Sequence, residues 1–511
     1  MAFTSVEFAV FLLAAVFSYY LIPQGFRWGI LLIVSYVFYL SGGIGVLGYI
    51  LFTTITTYVC GCLIGNVKGK GETKEEKAAI RKKKRFFATI ALVSNFGLLY
   101  FVKYWDFTLD LLRVPGDVLR FDLLLPLGIS FYIFQSMGYI IDLVRGKYTP
   151  QRNFFKFALF VSFFPQLTQG PIGRYDKLSP QLYKGSTLCA DNIKEGAKLL
   201  VWGYIKKLVV ADRCSVVACA VIDNYWNYNG SVILFGVIFY CIQLYCDFSG
   251  GIDIARGAAK LFGIDMAQNF RRPFFATSLA DFWRRWHITL GAWLKDYLFY
   301  PITLSKPFIN FGKFTRKHIQ GKAGKILPTS LATFIVYFAI GIWHGANWKY
   351  ILFGCWNGAL ITISLLLEPY FIDLKKKWGI EDSKLWYKVA CIARTNIIVV
   401  TGRYMTRAAG VTAAWDMLVR TVTDFQAGAL FNGGILALGL TTADYLIVAA
   451  GCLLIFILEL GDELGVRITE KIEEKGAIPT FIMAFAAIAI FMYFGIYRGN
   501  YIASEFIYKQ F

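Results

Sequence analysis

The chain has 511 residues, 57% of them hydrophobic and 17% aromatic, with 53 Lys+Arg against 33 Asp+Glu and a formal net charge of +20. That apolar share exceeds what a soluble domain carries and excludes an ordinary globular enzyme. The excess positive charge lies between apolar runs, which argues against nucleic-acid binding and for a membrane protein with basic cytosolic loops.

Apolar runs near bilayer-spanning length recur from end to end, at 6–22, 44–65, 86–104, 231–245, 327–343, 350–367, 445–460 and 479–497. Shorter or interrupted runs occupy 28–40, 123–144 and 154–167. Read with a window of about 19 residues, these give roughly ten to thirteen membrane segments. The expected fold is all-α and polytopic, with a ring of spanning helices around short re-entrant ones, in a single membrane domain over 1–511. The first basic residue is Arg27, so the first helix lacks the charged start of a cleaved signal and is expected to remain in the mature protein.

Residues 68–85 form the first strongly polar stretch, with Arg81, Lys82, Lys83, Lys84 and Arg85 in sequence. It reads as a cytosolic loop beside anionic headgroups, as do residues 313–325 and Lys375, Lys376 and Lys377. Most of the cysteines lie in apolar segments and no C-x-x-C pair occurs, so neither a disulfide framework nor a zinc site is expected. No H-E-x-x-H, phosphate-binding G-x-x-x-x-G-K-[ST] loop or G-x-S-x-G elbow is present. The halves show no internal similarity, which weighs against an inverted-repeat transporter.

Residues 247–300 are too polar for lipid-facing helices, yet rich in aromatics. Polar backbone at membrane depth is tolerated only inside protein or along a cavity. Two of the three histidines stand in or near this region: His287 in Asp281-Phe-Trp-Arg-Arg-Trp-His287-Ile-Thr-Leu290, and His344 in Gly341-Ile-Trp-His344-Gly-Ala. An ionisable group at membrane depth is a functional candidate by default, and imidazole can carry a proton near neutral pH. The spacing of Trp283, His287, Leu290 and Leu294 predicts one face of a helix over 279–294. Gly341 and Gly345 leave room beside His344 for a ligand or another backbone. A buried, structural histidine is the competing reading for each.

These two motifs resemble the paired histidine motifs of the membrane-bound O-acyltransferase (MBOAT) family, in its bacterial alginate O-acetyltransferase branch. The resemblance continues in Leu125-Pro-Leu-Gly-Ile-Ser-Phe-Tyr132, Phe163-Phe-Pro-Gln-Leu-Thr-Gln-Gly-Pro-Ile172 and Tyr245-Cys-Asp-Phe-Ser-Gly250, so that the matching region spans about 125–360, with further helices over 386–511. The chain departs from the pattern after Pro301, where a glycine-rich turn is usual, and over 394–403, which is more basic than its counterpart.

The resemblance implies an O-acyltransferase of the bacterial cell membrane. It would move an acyl group, acetyl above all, from a cytosolic thioester such as acetyl-CoA toward an extracytoplasmic polysaccharide. A separate SGNH-type partner protein would receive the group, and no permanently bound cofactor or metal is implied. His344 is then the expected base, with His287 on the donor path, or the two in exchanged roles. Arg284, Arg285, Lys295, Trp283 and Trp286 are candidates to hold the coenzyme A donor. Tyr508, in the aromatic tail 506–511, is a candidate acyl relay. Teichoic-acid D-alanyl transfer fed by a carrier protein, and a non-catalytic transporter with histidine proton relays, are the alternatives.

Overall fold

The computed structural model describes residues 1–67, 73–115, 119–121, 126 and 128–496. Among these the chain is helical, apart from loops and one isolated antiparallel bridge between Phe270 and Trp286. Seven helices are long and apolar enough to cross a bilayer: Ile44–Asn66, Lys74–Leu111, Gly230–Leu261, Ala323–His344, Trp348–Lys377, Thr442–Glu463 and Ala477–Phe494. Three shorter apolar helices, Val6–Leu21, Gln24–Leu40 and Ile129–Val144, accompany them. The protein is an all-α, multi-pass membrane protein.

Exposure follows lipid rather than water as the outer solvent. On Val6–Leu21 the residues Phe8, Leu12, Ala15 and Tyr19 are buried, while Val6, Val10, Leu13, Phe17 and Leu21 form an exposed stripe. Both faces are apolar, which suits a helix packed on protein on one side and acyl chains on the other. Ala477–Phe494 has no buried residue at all and carries no charged residue.

The chain forms two compact units, Met1–Gly203 with Gly251–Gln268, and Tyr204–Gly250 with Asn269–Phe511. In the first, Ile129–Val144 is buried along almost its whole length. It starts at Gly128, whose φ of +69° is left-handed and whose hypothetical Cβ would lie 1.6 Å from the Leu167 carbonyl oxygen, so only glycine fits. The 163–172 motif thereby receives a packing role. Phe164 joins an aromatic cluster with Phe8, Phe11 and Phe38, and its amide donates to Ser35 Oγ at 3.1 Å.

The basic stretch expected as a loop is different from Thr73 onward. Thr73 and Glu76 form a capping box that starts the 38-residue helix Lys74–Leu111. At about 1.5 Å per residue that helix is close to twice as long as a hydrocarbon core of about 30 Å. Its first turns, carrying Lys77 and Arg81 to Arg85, therefore extend beyond the bilayer as helix. Residues 68–72 lie outside the described residues.

In the second unit, Ala323–His344 and Trp348–Lys377 pair through glycines. A Cβ on Gly341 would meet the Tyr350 carbonyl at 2.5 Å, and one on Gly354 would meet the Tyr337 carbonyl at 2.5 Å. Small residues at the crossing let two backbones touch where lipid gives no hydrophobic drive. The space beside Gly345 is likewise taken by the Tyr350 ring, 2.7 Å from a hypothetical Cβ. The neighbouring helix, then, fills the clearance that these glycines provide.

Candidate functional site

The predicted continuous helix over 279–294 is broken at the histidine. Leu279–Arg285 and Ile288–Leu294 are separate short helices, and His287 between them has φ +49° and ψ +53°. The cause is the returning strand-like segment at 269–271. Arg271 N donates to the Arg285 carbonyl at 2.9 Å, and Ile288 N donates to the Asn269 carbonyl at 3.0 Å. These bonds replace helical ones on either side of Trp286. A left-handed non-glycine residue is held there by its surroundings, at some cost in strain. Trp283 and His287 consequently do not share a helical face.

His287 is buried, 4% exposed. Phe248 packs edge-on against its ring at 5.0 Å, and Trp343 does so at 5.8 Å. Asn269, fully buried, places Oδ1 3.2 Å from His287 Nδ1. The same oxygen accepts from Thr289 N and from Thr289 Oγ1, each at 2.9 Å. Burial lowers the imidazole pKa to about 3, so the ring is neutral.

His344 ends its helix and is less deeply buried than His287. Its ring lies 5.0 Å from Trp343, 5.9 Å from Phe353 and 6.3 Å from Tyr350. Trp343 thus touches both histidines, and the two motifs converge on one aromatic cluster. Trp283 joins it through Phe353 at 6.0 Å and is fixed by a hydrogen bond from Nε1 to Asn357 Oδ1 at 3.1 Å.

The other residues predicted to hold the donor are placed differently. Trp286 is buried between Phe282 and Phe270, with the Arg403 guanidinium 5.0 Å from its ring. Arg285 pairs with Asp281 at 2.9 Å and with Glu463 at 2.9 Å, and Arg272 reaches the same Glu463 oxygen at 2.7 Å. Arg285 is thus committed to an internal network of two guanidiniums and two carboxylates. Arg284 and Lys295 are exposed, Lys295 lying over the Tyr300 ring. Tyr508 lies outside the described residues.

Comparison with known proteins bears on the chemistry. The model of the membrane-bound O-acyltransferase family matches residues 150–373. The chain is 32% identical to the probable alginate O-acetylase AlgI of Pseudomonas syringae pv. tomato over 425 residues, covering 81% of this chain and 72% of the relative. The chain belongs to the membrane-bound O-acyltransferase family. It is also similar to the peptidoglycan O-acetyltransferase of Helicobacter pylori, 32% identical over 55% of each chain. The teichoic acid D-alanyltransferase of Bacillus subtilis is 26% identical over 62% of this chain and 76% of that one.

As an O-acyltransferase of this family, the protein contains more polar machinery than its histidine motifs disclose. In Tyr245–Gly250 the helix periodicity separates two roles. Tyr245 and Phe248 pack on Trp286 and Phe270, and Phe248 also on His287. Asp247 and Ser249 face the other way and bind Lys207 Nζ at 2.6 Å and Lys206 Nζ at 3.1 Å. Lys206 and Lys207 stand in a π-helical stretch, Ile205–Ala211. Sequence reasoning missed Asn269 and both lysines. The lysines sit in an otherwise apolar run that ends at Asp212, and Asn269 precedes two arginines that drew attention to charge instead.

Proposed function

We propose that this acyltransferase passes an acetyl group from a cytosolic acyl thioester, acetyl-CoA by preference, to a hydroxyl of an extracytoplasmic polysaccharide, by way of a separate SGNH-type partner protein. The observation that carries this reading is the convergence of His287 and His344 on the single ring of Trp343. Acetyl transfer is favoured over D-alanyl transfer by similarity: the alginate acetylase matches at 32% identity, the D-alanyltransferase at 26%. His344, the less buried imidazole, is the base. The acceptor oxygen bonds to the thioester carbonyl carbon while His344 takes the hydroxyl proton. The carbon–sulfur bond then breaks, and the proton passes to the departing thiolate. Arg284 and Lys295, both exposed, are cations available to donor phosphates. Arg285 is excluded from that role by its pairing with Asp281 and Glu463.

The outward direction rests on the basic start of Lys74–Leu111 lying in the cytosol. A Lys77→Cys variant should react with an impermeant thiol reagent in inverted vesicles and stay unlabelled in intact cells. Labelling from outside would reverse the direction of transfer.

Purified protein in nanodiscs, given a labelled acetyl thioester, should consume it once the partner or a soluble acceptor is supplied. A consumption rate equal to that of empty nanodiscs would defeat the proposal. Tyr508 is assigned as the intermediate carrier, and mass spectrometry of donor-treated protein should find an acetyl ester on it. Tyr508→Phe keeps the ring and removes the nucleophile, so it should lose delivery to polymer while expression is unchanged. Full polymer acetylation by that variant would leave direct transfer as the route.

A further inference from the structure

We propose that Asn269 is a positioning residue for acyl transfer: it locks His287 in the tautomer protonated on Nδ1, so that Nε2 meets the reacting groups as a hydrogen-bond acceptor. The argument begins with the amide's orientation. The two ends of an asparagine side chain are told apart only by their partners. Here one partner is the backbone N–H of Thr289, which can only donate, at 2.9 Å. The end facing it is therefore the oxygen. His287 Nδ1 lies 3.2 Å from that same oxygen. Two acceptors would repel at this distance, so Nδ1 carries the hydrogen. The Thr289 hydroxyl also points at Oδ1, but a hydroxyl can rotate and a ring cannot.

The tautomer decides what His287 can do. A neutral imidazole has one donor and one acceptor, and Asn269 uses the donor. Polarising a thioester carbonyl requires a donor, so Nε2 cannot perform it. Its lone pair can instead receive the O–H or N–H of a bound substrate and aim it. Burial of the ring, which disfavours the imidazolium, leaves His287 an orienting acceptor and His344 the group that takes the proton.

The ionisable groups on the elements around His287 fit this assignment. Asp247 is engaged by Lys207, Arg285 and Arg272 by Glu463, and the Arg403 guanidinium lies over Trp286. Tyr245 is hydrogen-bonded to Glu459, and His344 packs against Trp343. Within this shell Asn269 supplies the bond to Nδ1. Its own Nδ2 is buried with no hydrogen-bond partner among the described residues. An unsatisfied buried amide destabilises the fold, so it is the oxygen end of Asn269, shared by His287 and Thr289, that the surroundings engage.

The proposal rests on the acyl-transfer reading of this site, and its test separates the two. With three histidines in the chain, ¹⁵N-histidine-labelled protein in nanodiscs gives few resonances, and His287→Gln identifies the pair of interest. The wild type should show a protonated Nδ1 and an unprotonated Nε2 on His287. Asn269→Leu should lose that preference and lower kcat by about 10- to 100-fold, the scale known for partners that orient a metal-bound imidazole, with KM for the acetyl thioester unchanged. Asn269→Asp keeps the accepting oxygen and should restore both the protonated Nδ1 and much of the rate, which a merely structural role would not predict. A wild-type His287 protonated on Nε2 overturns the proposal without any variant. A wild-type rate in Asn269→Leu overturns it as well. If the wild-type protein shows the Nδ1 tautomer but consumes no thioester, the acyl-transfer reading fails and takes the positioning role with it.

Discussion

His344→Ala should reduce acyl transfer by about 10²–10⁴-fold, the range expected when a positioned proton acceptor is removed. The folded yield should stay close to wild type. The ring is only partly buried, and its neighbours Trp343, Phe353 and Tyr350 remain packed through the glycine crossing at Gly341 and Gly354. Donor consumption and thermal unfolding of the same nanodisc sample check both halves. Activity within a few-fold of wild type, alongside an unchanged unfolding midpoint, would make the imidazole structural and move the base elsewhere. His287→Ala is the less clean comparison. It removes a ring that is 4% exposed and packed on Phe248 and Trp343, and it changes a left-handed backbone position. Stability and rate would fall together there, which is why the asparagine beside it is the better probe.

The legible part of this protein was its hydrophobic pattern and its rare residues. Long apolar runs announce spanning helices because every backbone polar group in lipid must be satisfied within the segment. Two histidines in apolar surroundings were conspicuous because so few occur, and the structure brings both to Trp343. Helix continuity at 279–294 was illegible. Its apolar spacing is compatible with a helix, but the backbone of 269–271 competes for the same hydrogen bonds, and that competitor lies outside any local window. The pairing of Arg285 was illegible for a similar reason: Glu463, its partner, is 178 residues away in sequence. Gly341 marks the close approach of another backbone, but periodicity could not say that it belongs to the Trp348–Lys377 helix, whose Tyr350 ring takes the space beside Gly345.

Lys207 should be the most costly single substitution away from the histidines. Its ammonium lies 2.8 Å from Asp212 Oδ1 and 2.6 Å from Asp247 Oδ1, and none of the three side chains is more than 2% exposed. A π-helical stretch carries more residues per turn than an α-helix, so successive side chains diverge less. Lys206 and Lys207 can then both reach the Gly230–Leu261 helix, at Ser249 and Asp247. Lys207→Met keeps the aliphatic stem and deletes the charge, taking from Asp212 and Asp247 the ammonium they share. Removing one partner of a buried ion pair costs about 3–5 kcal/mol. The expected result is a large fall in the unfolding midpoint and in monodisperse yield, with acyl transfer declining only as the folded fraction does. Adding Asp212→Asn and Asp247→Asn to Lys207→Met removes the stranded charges and should recover most of the loss, since a neutral, packed replacement of an ion pair is often tolerated. If Lys207→Met alone unfolds like wild type, the carboxylates are not stranded and the network does not hold the π-helical stretch. If it instead abolishes transfer while unfolding like wild type, the lysine belongs to the reaction and not to the scaffold.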